Sequence, residues 1–274
     1  MARKRVIDIR DPELTDEAWE RLAPLLPEPE ASPDGGPKPI PNRPVVEGIL
    51  WVLRNGGRWK ALPQGYPSPA TCWRRLAEWE ERGVWLDAWR TFLDERNAEG
   101  RIRWEECFAD GSFASAKKGG DGVGKTKKGK GTKWMVVVDG EGLPLAFHLD
   151  SANRAEVKLL ETTLDNIEVT EAEQDGTPPQ PERLILDRGY DSDPLRERLA
   201  ARGIEMICPH RKNRVKPRTQ DGRKLRRYRR RWKVERTFAW LGNFRRLVVR
   251  YERRLDIYRA FFHVACLIIT LRQL

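Results

Sequence analysis

Three carboxylates in unusual surroundings are the residues best placed to do chemistry. Between His210 and Arg254 the chain carries 19 lysines and arginines against three acids. One of those acids is Glu235, and a carboxylate kept in such a stretch does something an arginine cannot. Two more acids stand where buried strands should end: Asp110 after Glu106-Cys107-Phe108-Ala109, and Asp187 after Leu184-Ile185-Leu186. Carboxylate oxygens are hard ligands suited to Mg2+, and a divalent cation beside a phosphate-attracting surface is the arrangement for phosphodiester chemistry. Each has a plainer alternative: an Asp-Gly turn at 110, a loop cap at 187, a surface ion pair of Glu235 with Arg231. Asp139, Asp191 and Asp193 are assigned to turns and caps.

These groups need elements to hold them. The basic stretch is expected to form one long helix, 224–254, with Tyr228, Arg231 and Glu235 on one face, since they lie seven and four residues apart. Strands are expected at 104–109, at 134–138 and 143–149 as a hairpin turned by Asp139-Gly140-Glu141-Gly142, at 184–186 and at 204–208. Asn153 with Glu156 resembles a capping box for a helix to about 167, and Asp193-Pro194 opens one to 201. Residues 168–182 read as a polar connection. Three strands, a helix, a strand, a helix, a strand and a helix is the order of a ribonuclease H-like core. That topology puts the first strand centrally beside the fourth, making neighbours of Asp110 and Asp187.

Before residue 101 the pattern is helical: 15–26, 44–54, 70–81 and 84–97, with a Pro- and Gly-rich linker over 27–44. The expected fold class is therefore α/β, a ribonuclease H-like mixed sheet flanked by helices, preceded by a small all-helical, helix-turn-helix-like module. The boundary is placed between 1–100 and 101–274.

Charge narrows the partner. The chain has a net charge of +11, the 210–254 excess is +16, and the remainder is net acidic by five. Basicity so focused, interleaved with Tyr228, Trp232, Phe238, Trp240 and Phe244, favours a polyanion. Cys72, Cys107, Cys208 and Cys266 are too scattered for a zinc site, as are His148, His210 and His263. No signal-peptide core opens the chain, and the apolar stretch 255–274 carries Asp256, Arg259, His263 and Arg272, which suits a buried helix better than a membrane span. A reducing, cytoplasmic setting is expected. Gly119 to Thr126 formally fits a phosphate loop, but that loop needs a buried strand before it and a helix after it. Neither flank qualifies, so a mobile basic loop between strands is expected and no nucleotide cofactor.

Through Asp110-Gly111-Ser112, Lys133 to Asp139, Ser151-Ala152-Asn153, Leu186 to Ser192 and Arg231 to Phe238, the chain resembles a DDE-type transposase of bacterial insertion sequences. The resemblance implies that Asp110, Asp187 and Glu235 are both catalytic residues and metal ligands for Mg2+, with Mn2+ as the alternative. The family's Tyr, Arg, Glu signature falls on Tyr228, Arg231 and Glu235. Its usual basic residue seven after the glutamate falls on Gly242, a departure for which Arg245 or Arg246 could substitute. Gly57 to Pro63, Cys72 to Leu76 and Gly83-Val84-Trp85 are similar to the N-terminal segment of this group, implying a recognition helix from Ala70 that turns Arg74 and Arg75 to DNA. Arg236, Arg245 and Arg246 complete the expected DNA contacts. The implied partners are transposon-end and target DNA and further copies of the chain. Two rivals stay open: a metal-dependent nuclease of the same fold, and an inactive DNA-binding regulator.

Overall fold

A computed structural model of the chain describes residues 14–29, 38–170, 178–220 and 222–274; residues 30–37 of the 27–44 linker and 171–177 of the 168–182 connection thus lie outside the described residues. Helix α1 (Asp16–Leu22) starts on Thr15, whose hydroxyl accepts from the Ala18 N–H, and runs into a single 3-10 turn. Helix α2 (Asn42–Asn55) is amphipathic and buries Val45, Val46, Ile49, Leu50, Val52 and Leu53. Helix α3 (Pro69–Glu81) is capped by Ser68 and followed, across Arg82 and Gly83, by α4 (Val84–Ala98). Gly83 takes φ +75°, a left-handed conformation that permits this abrupt reversal. The connection between α2 and α3 spans 56–68, far longer than a helix-turn-helix turn. The tight turn instead joins α3 to α4.

The sheet is built from β1 (Cys107–Ala116), β2 (Gly124–Thr126), β3 (Gly129–Val138), β4 (Pro144–Ser151), β5 (Arg183–Ile185), β6 (Glu205–Ile207) and β7 (Val249–Arg250). Strands β4, β3, β1, β5 and β6 lie side by side in that order, the expected ribonuclease H-like arrangement, with β1 central. Strand β1 does not stop before Asp110 but continues six residues past it, because the antiparallel ladder with β3 extends to Ser115 opposite Gly131. The phosphate-loop look-alike is no open loop: Gly124–Thr126 is β2, paired antiparallel with Gly129–Gly131, and no helix follows. Asp139 serves the β3–β4 turn as expected, accepting from the backbone N–H groups of Arg103, Glu141 and Leu143.

Helix α5 (Glu156–Asp165) starts at Glu156 without the expected Asn153 cap, because the Glu156 carboxylate is taken by Lys133 at 2.9 Å. Helix α6 (Asp193–Ala201) carries its proline in the first turn, and the Asp193 carboxylate pairs with Arg214. The long basic helix is broken. It resolves into α7 (Gly222–Leu225), a 3-10 stretch Arg226–Arg231, α8 (Trp232–Gly242) and α9 (Arg245–Val248). Five arginines within Arg226–Arg231 repel one another, and the segment follows anchors on the sheet rather than a single axis.

Helix α10 (Leu255–Leu271) unites the molecule. On one side Phe262 packs edge-on against Trp134 of β3, with ring centroids 4.9 Å apart, and Tyr258 accepts from the Trp134 indole at 2.9 Å. On the other side the Trp89 indole of α4 donates to Thr270 at 3.1 Å, and Glu80 of α3 meets His263 at 2.8 Å. Among the described residues no helix is long and apolar enough to cross a membrane. Each fully buried Leu or Phe contributes about 1.5–3 kcal/mol. One core therefore runs from the N-terminal helices into the sheet.

Candidate active site: a carboxylate pair beneath an arginine segment

The site forms where β1 loses a neighbour. One edge of β1 is paired with β3 throughout, whereas the other is paired with β5 only at Cys107 and Phe108 and with β7 only at Ser115 and Ala116. Asp110 lies in the opening between them. The parallel register sets Cys107 opposite Leu184 and Phe108 opposite Ile185. Continued past the end of β5, it brings Asp187 opposite Asp110. Asp187 is held where the strand turns into a 3-10 turn, Arg188–Tyr190: its Oδ1 accepts from the Gly189 N–H at 2.6 Å, and its carbonyl accepts from Tyr190 at 3.1 Å.

Arg231 faces the pair. Its guanidinium donates to Asp110 Oδ2, and the same Nη2 lies 3.9 Å from Glu235 Oε1 in the first turn of α8. Burial pushes the Asp110 carboxyl up, and Arg231 offsets this only in part. Burial also opposes the charge on Arg231, but Asp110, with Tyr228 and Asp187 nearby, raises its pKa and keeps it a cation. Arg231 thus links Asp110, which is 15% exposed, to Glu235, which is 63% exposed. Tyr228 stacks against it with the guanidinium 6.0 Å from the ring centre. Three of the expected residues, Tyr228, Arg231 and Glu235, therefore meet even though no single helix carries them.

Among the described residues, no three acid, histidine or cysteine side chains lie close enough to share one metal ion. Asp110 and Asp187 fit a hard divalent cation by donor type and register. Glu235 stands outside them, and a guanidinium occupies the Asp110 oxygen that a cation would take.

Several features escape sequence reasoning. Glu106, immediately before β1 and four residues ahead of Asp110, holds both Arg227 and Arg230, so two carboxylates near one end of the strand dock the arginine segment through Arg227, Arg230 and Arg231. The only signal was an acid at the head of an apolar strand. Behind β1, Glu156 contacts the Tyr190 hydroxyl at 3.3 Å and leans over Gly111, where a Cβ would fall 2.6 Å from the glutamate carboxyl carbon. Gly111 is thus a glycine for space, not for a turn.

The expected DNA-contacting arginines divide. Arg74 and Arg245 are exposed. Arg75 donates to Asn42 and lies over Trp79. Arg236 is stacked between Trp232 and Trp240, at 4.9 and 4.8 Å, and donates to the Glu141 carbonyl. Arg246 is a correction: it is 6% exposed, paired with Glu252 and bonded to the Gly57 carbonyl at 2.7 Å, so it braces α9 against the end of α2 and faces no solvent.

A basic loop, 209–220, is fastened beside Asp187 by Asp191, which accepts from Arg196 at 3.0 Å and from the Arg211 N–H at 2.9 Å and contacts His210 at 3.0 Å. Burial alone would raise the Asp191 pKa, but these partners outweigh it and hold the group at about 2. A carboxylate whose folded pKa lies below its ordinary 3.8 stabilises the fold fully above 3.8 and loses that contribution as pH falls through about 2. Proteolysis or amide exchange across 209–220 should therefore rise between these pH values. The same segment in Asp191→Asn should be loose already at neutral pH; equal protection in both proteins at pH 7 would rule the fastening out.

A family model described as "Transposase DDE domain" matches residues 105–270, and one described as "Putative transposase of IS4/5 family" matches 14–89. Among curated proteins the chain is similar to "Putative transposase for insertion sequence element IS402" of Burkholderia cepacia, 41% identical over 146 residues, 52% of this chain and 65% of that protein. It thus spans just under two thirds of that relative. It is also 37% identical over 119 residues to the uncharacterized 16.2 kDa protein of insertion element IS402, 42% of this chain and 81% of that protein. Of solved structures, piggyBac transposase in its synaptic complex with hairpin DNA aligns over 94% of this chain and 72% of its own, with TM-score 0.50 and 9% identity. At that identity the likeness is one of fold.

Proposed function

The chain belongs to the transposase DDE domain family, and from that membership we propose that it is a DNA transposase. It binds the ends of an insertion sequence, cleaves the DNA strands and joins the freed 3′-hydroxyl ends to target DNA. The observation that carries this reading is the β1–β5 register, which continues to bring Asp110 opposite Asp187 beneath a row of arginines.

Divalent metal use comes with the family; Mg2+ is the ion proposed here, with Mn2+ as the alternative. Asp110 and Asp187 would hold it and Glu235 would join them. When bound, the metal polarises the phosphate under attack and makes water or a 3′-hydroxyl a better nucleophile. The protein's own groups do the rest. Arg231, released from Asp110, offers its fork of N–H donors to a phosphate oxygen pair. Glu106 keeps Arg227 and Arg230 at the rim, and Tyr228 braces Arg231. The Gly189 N–H fixes the rotamer of Asp187. End recognition is assigned to the helices of residues 1–100, where Arg74 is the exposed arginine on α3. The partners proposed are DNA, which the piggyBac transposase holds as hairpin DNA in its synaptic complex, and further copies of this chain.

The test uses the full chain and the short inverted repeats flanking its gene. Wild type in Mg2+ should cut a duplex bearing that repeat and join it to an unrelated duplex without any nucleotide. Lys125→Ala, in the phosphate-loop look-alike, should still do so, weakened by no more than one phosphate contact, about 1–2 kcal/mol. Cutting with no joining would make the protein a nuclease instead. Joining that needs ATP and vanishes in Lys125→Ala would overturn the assignment of residues 119–126.

A further inference from the structure

The arginines around the site are largely spoken for: Arg227 and Arg230 by Glu106, Arg231 by Asp110, Arg246 by Glu252. A second basic element is not. Between Lys117 and Lys133 the chain has seven lysines and one acid, Asp121. Six of the seven are exposed, the exception being Lys133, which pairs with Glu156. Among the described residues none of those six meets a carboxylate at ion-pair distance.

The hairpin that presents them is firmly seated. A Cβ on Gly124 would lie 2.5 Å from both Ser151 Oγ and Asn153 Oδ1, and one on Gly131 would lie 2.3 Å from the Ala114 carbonyl oxygen, so glycines let the β2–β3 ladder sit directly on its neighbours. Within that ladder Lys125 stands opposite Lys130. Like charges directly across an antiparallel pair destabilise it. A rigid ladder that aligns unpaired cations is relieved by an anionic partner. The hairpin also reaches the site: Lys127, Lys128 and Lys133 line a cleft that includes Gly111 and Ser112, the residues immediately after Asp110. The arginine segment thus meets β1 at Asp110, and the lysine cleft meets it at the next residues, Gly111 and Ser112.

We infer that the β2–β3 lysine hairpin docks the phosphate backbone of a second duplex, the one to which the cut end is joined. The inference rests on the transposase reading. Its chemistry argues for that duplex. From 117 to 133 there is no arginine, asparagine, glutamine or aromatic residue. Lysine is a flexible point charge without the fork that reads guanine. Such a surface grips phosphates whatever the sequence, as suits DNA that is not chosen by its ends.

The test compares wild type with the full chain carrying Lys125→Gln, Lys127→Gln and Lys128→Gln, all exposed positions; the pair Lys127→Gln, Lys128→Gln at the turn serves if the triple variant melts early. Binding is measured in EDTA over a range of KCl, once to a random-sequence duplex and once to a duplex bearing the inverted repeat. For the random duplex, the plot of log affinity against log salt should become shallower by about 0.9 per lost phosphate contact, up to about 2.7 for three. Affinity for the repeat duplex should change less than about twofold, and joining should fall at least about tenfold while end cutting persists. An unchanged slope on the random duplex, or equal losses on both duplexes, would overturn the inference. Failure of the underlying reading looks different: wild type would never cut the repeat duplex, although the random-duplex slope still dropped in the variant.

Discussion

Asp110→Asn, Asp187→Asn and Glu235→Gln should each abolish cutting of the repeat duplex in Mg2+, by roughly a thousandfold or more, and leave its binding intact. A carboxylate that holds a catalytic cation commands several kcal/mol of transition-state charge stabilisation, and each 1.36 kcal/mol is a factor of ten in rate. None of the three is a donor to phosphate, so DNA does not lose a contact. For Asp110 the expectation is sharper. Its carboxylate engages Arg231, and Asn at this position removes a negative charge and frees a guanidinium. Affinity in EDTA should then hold or rise. A variant that cuts at close to the wild-type rate would take its residue out of the site; one that loses affinity in proportion to activity would make that residue a binding group.

The second large effect concerns stability. Glu80 of α3 is 8% exposed and sits between His263 Nδ1 at 2.8 Å and Arg259 Nε at 2.7 Å, both on α10. Burial pushes its pKa up, but His263 and Arg259 outweigh burial and hold it below its ordinary 4.5. Removing one partner of a buried pair costs about 3–5 kcal/mol, because the remaining polar group is left unsatisfied. Arg259, with its side chain 48% exposed, can turn to water, whereas His263 at 8% cannot. The lower figure, about 3 kcal/mol, is therefore expected for Glu80→Ala, a fall in melting temperature of about 6–12 °C at this chain length. Glu80→Gln, which keeps the shape and some bonds, should lose less. The pH dependence has a fixed sign: a depressed carboxyl pKa stabilises fully above 4.5 and loses that contribution as pH falls below it. A wild type and Glu80→Ala that melt within about 2 °C of each other at neutral pH would show that this contact does not tie α3 to α10.

The core order was legible because it depends on periodicity. Apolar runs such as Met135 to Val138 and Leu184 to Leu186 read as buried strands whatever surrounds them, and Thr15, Ser68 and Gly83 mark helix ends through local hydrogen bonding and backbone freedom. The expected 224–254 helix failed for the opposite reason. Its residues have adequate helical propensity, but Glu106 and Asp110, more than a hundred residues earlier in the chain, capture Arg227, Arg230 and Arg231. The Asn153 cap failed in the same way, since Lys133 claims Glu156.

From residue types and spacing alone came three carboxylates, the strands that carry two of them, and a polyanion as partner. These are local quantities, set by side-chain chemistry within a few neighbours. Which arginines face outward was decided only by the fold. Arg246 and Arg74 carry the same charge in sequence, yet Glu252 and the Gly57 carbonyl enclose one while the other is exposed. The weight of the lysine hairpin was hidden likewise, because 117–133 is a modest run beside the arginines until β2 and β3 pair and align its charges beside Asp110. A charge becomes a surface only when the chain has chosen its neighbours, and neighbours distant in sequence are chosen by the packing of the whole core.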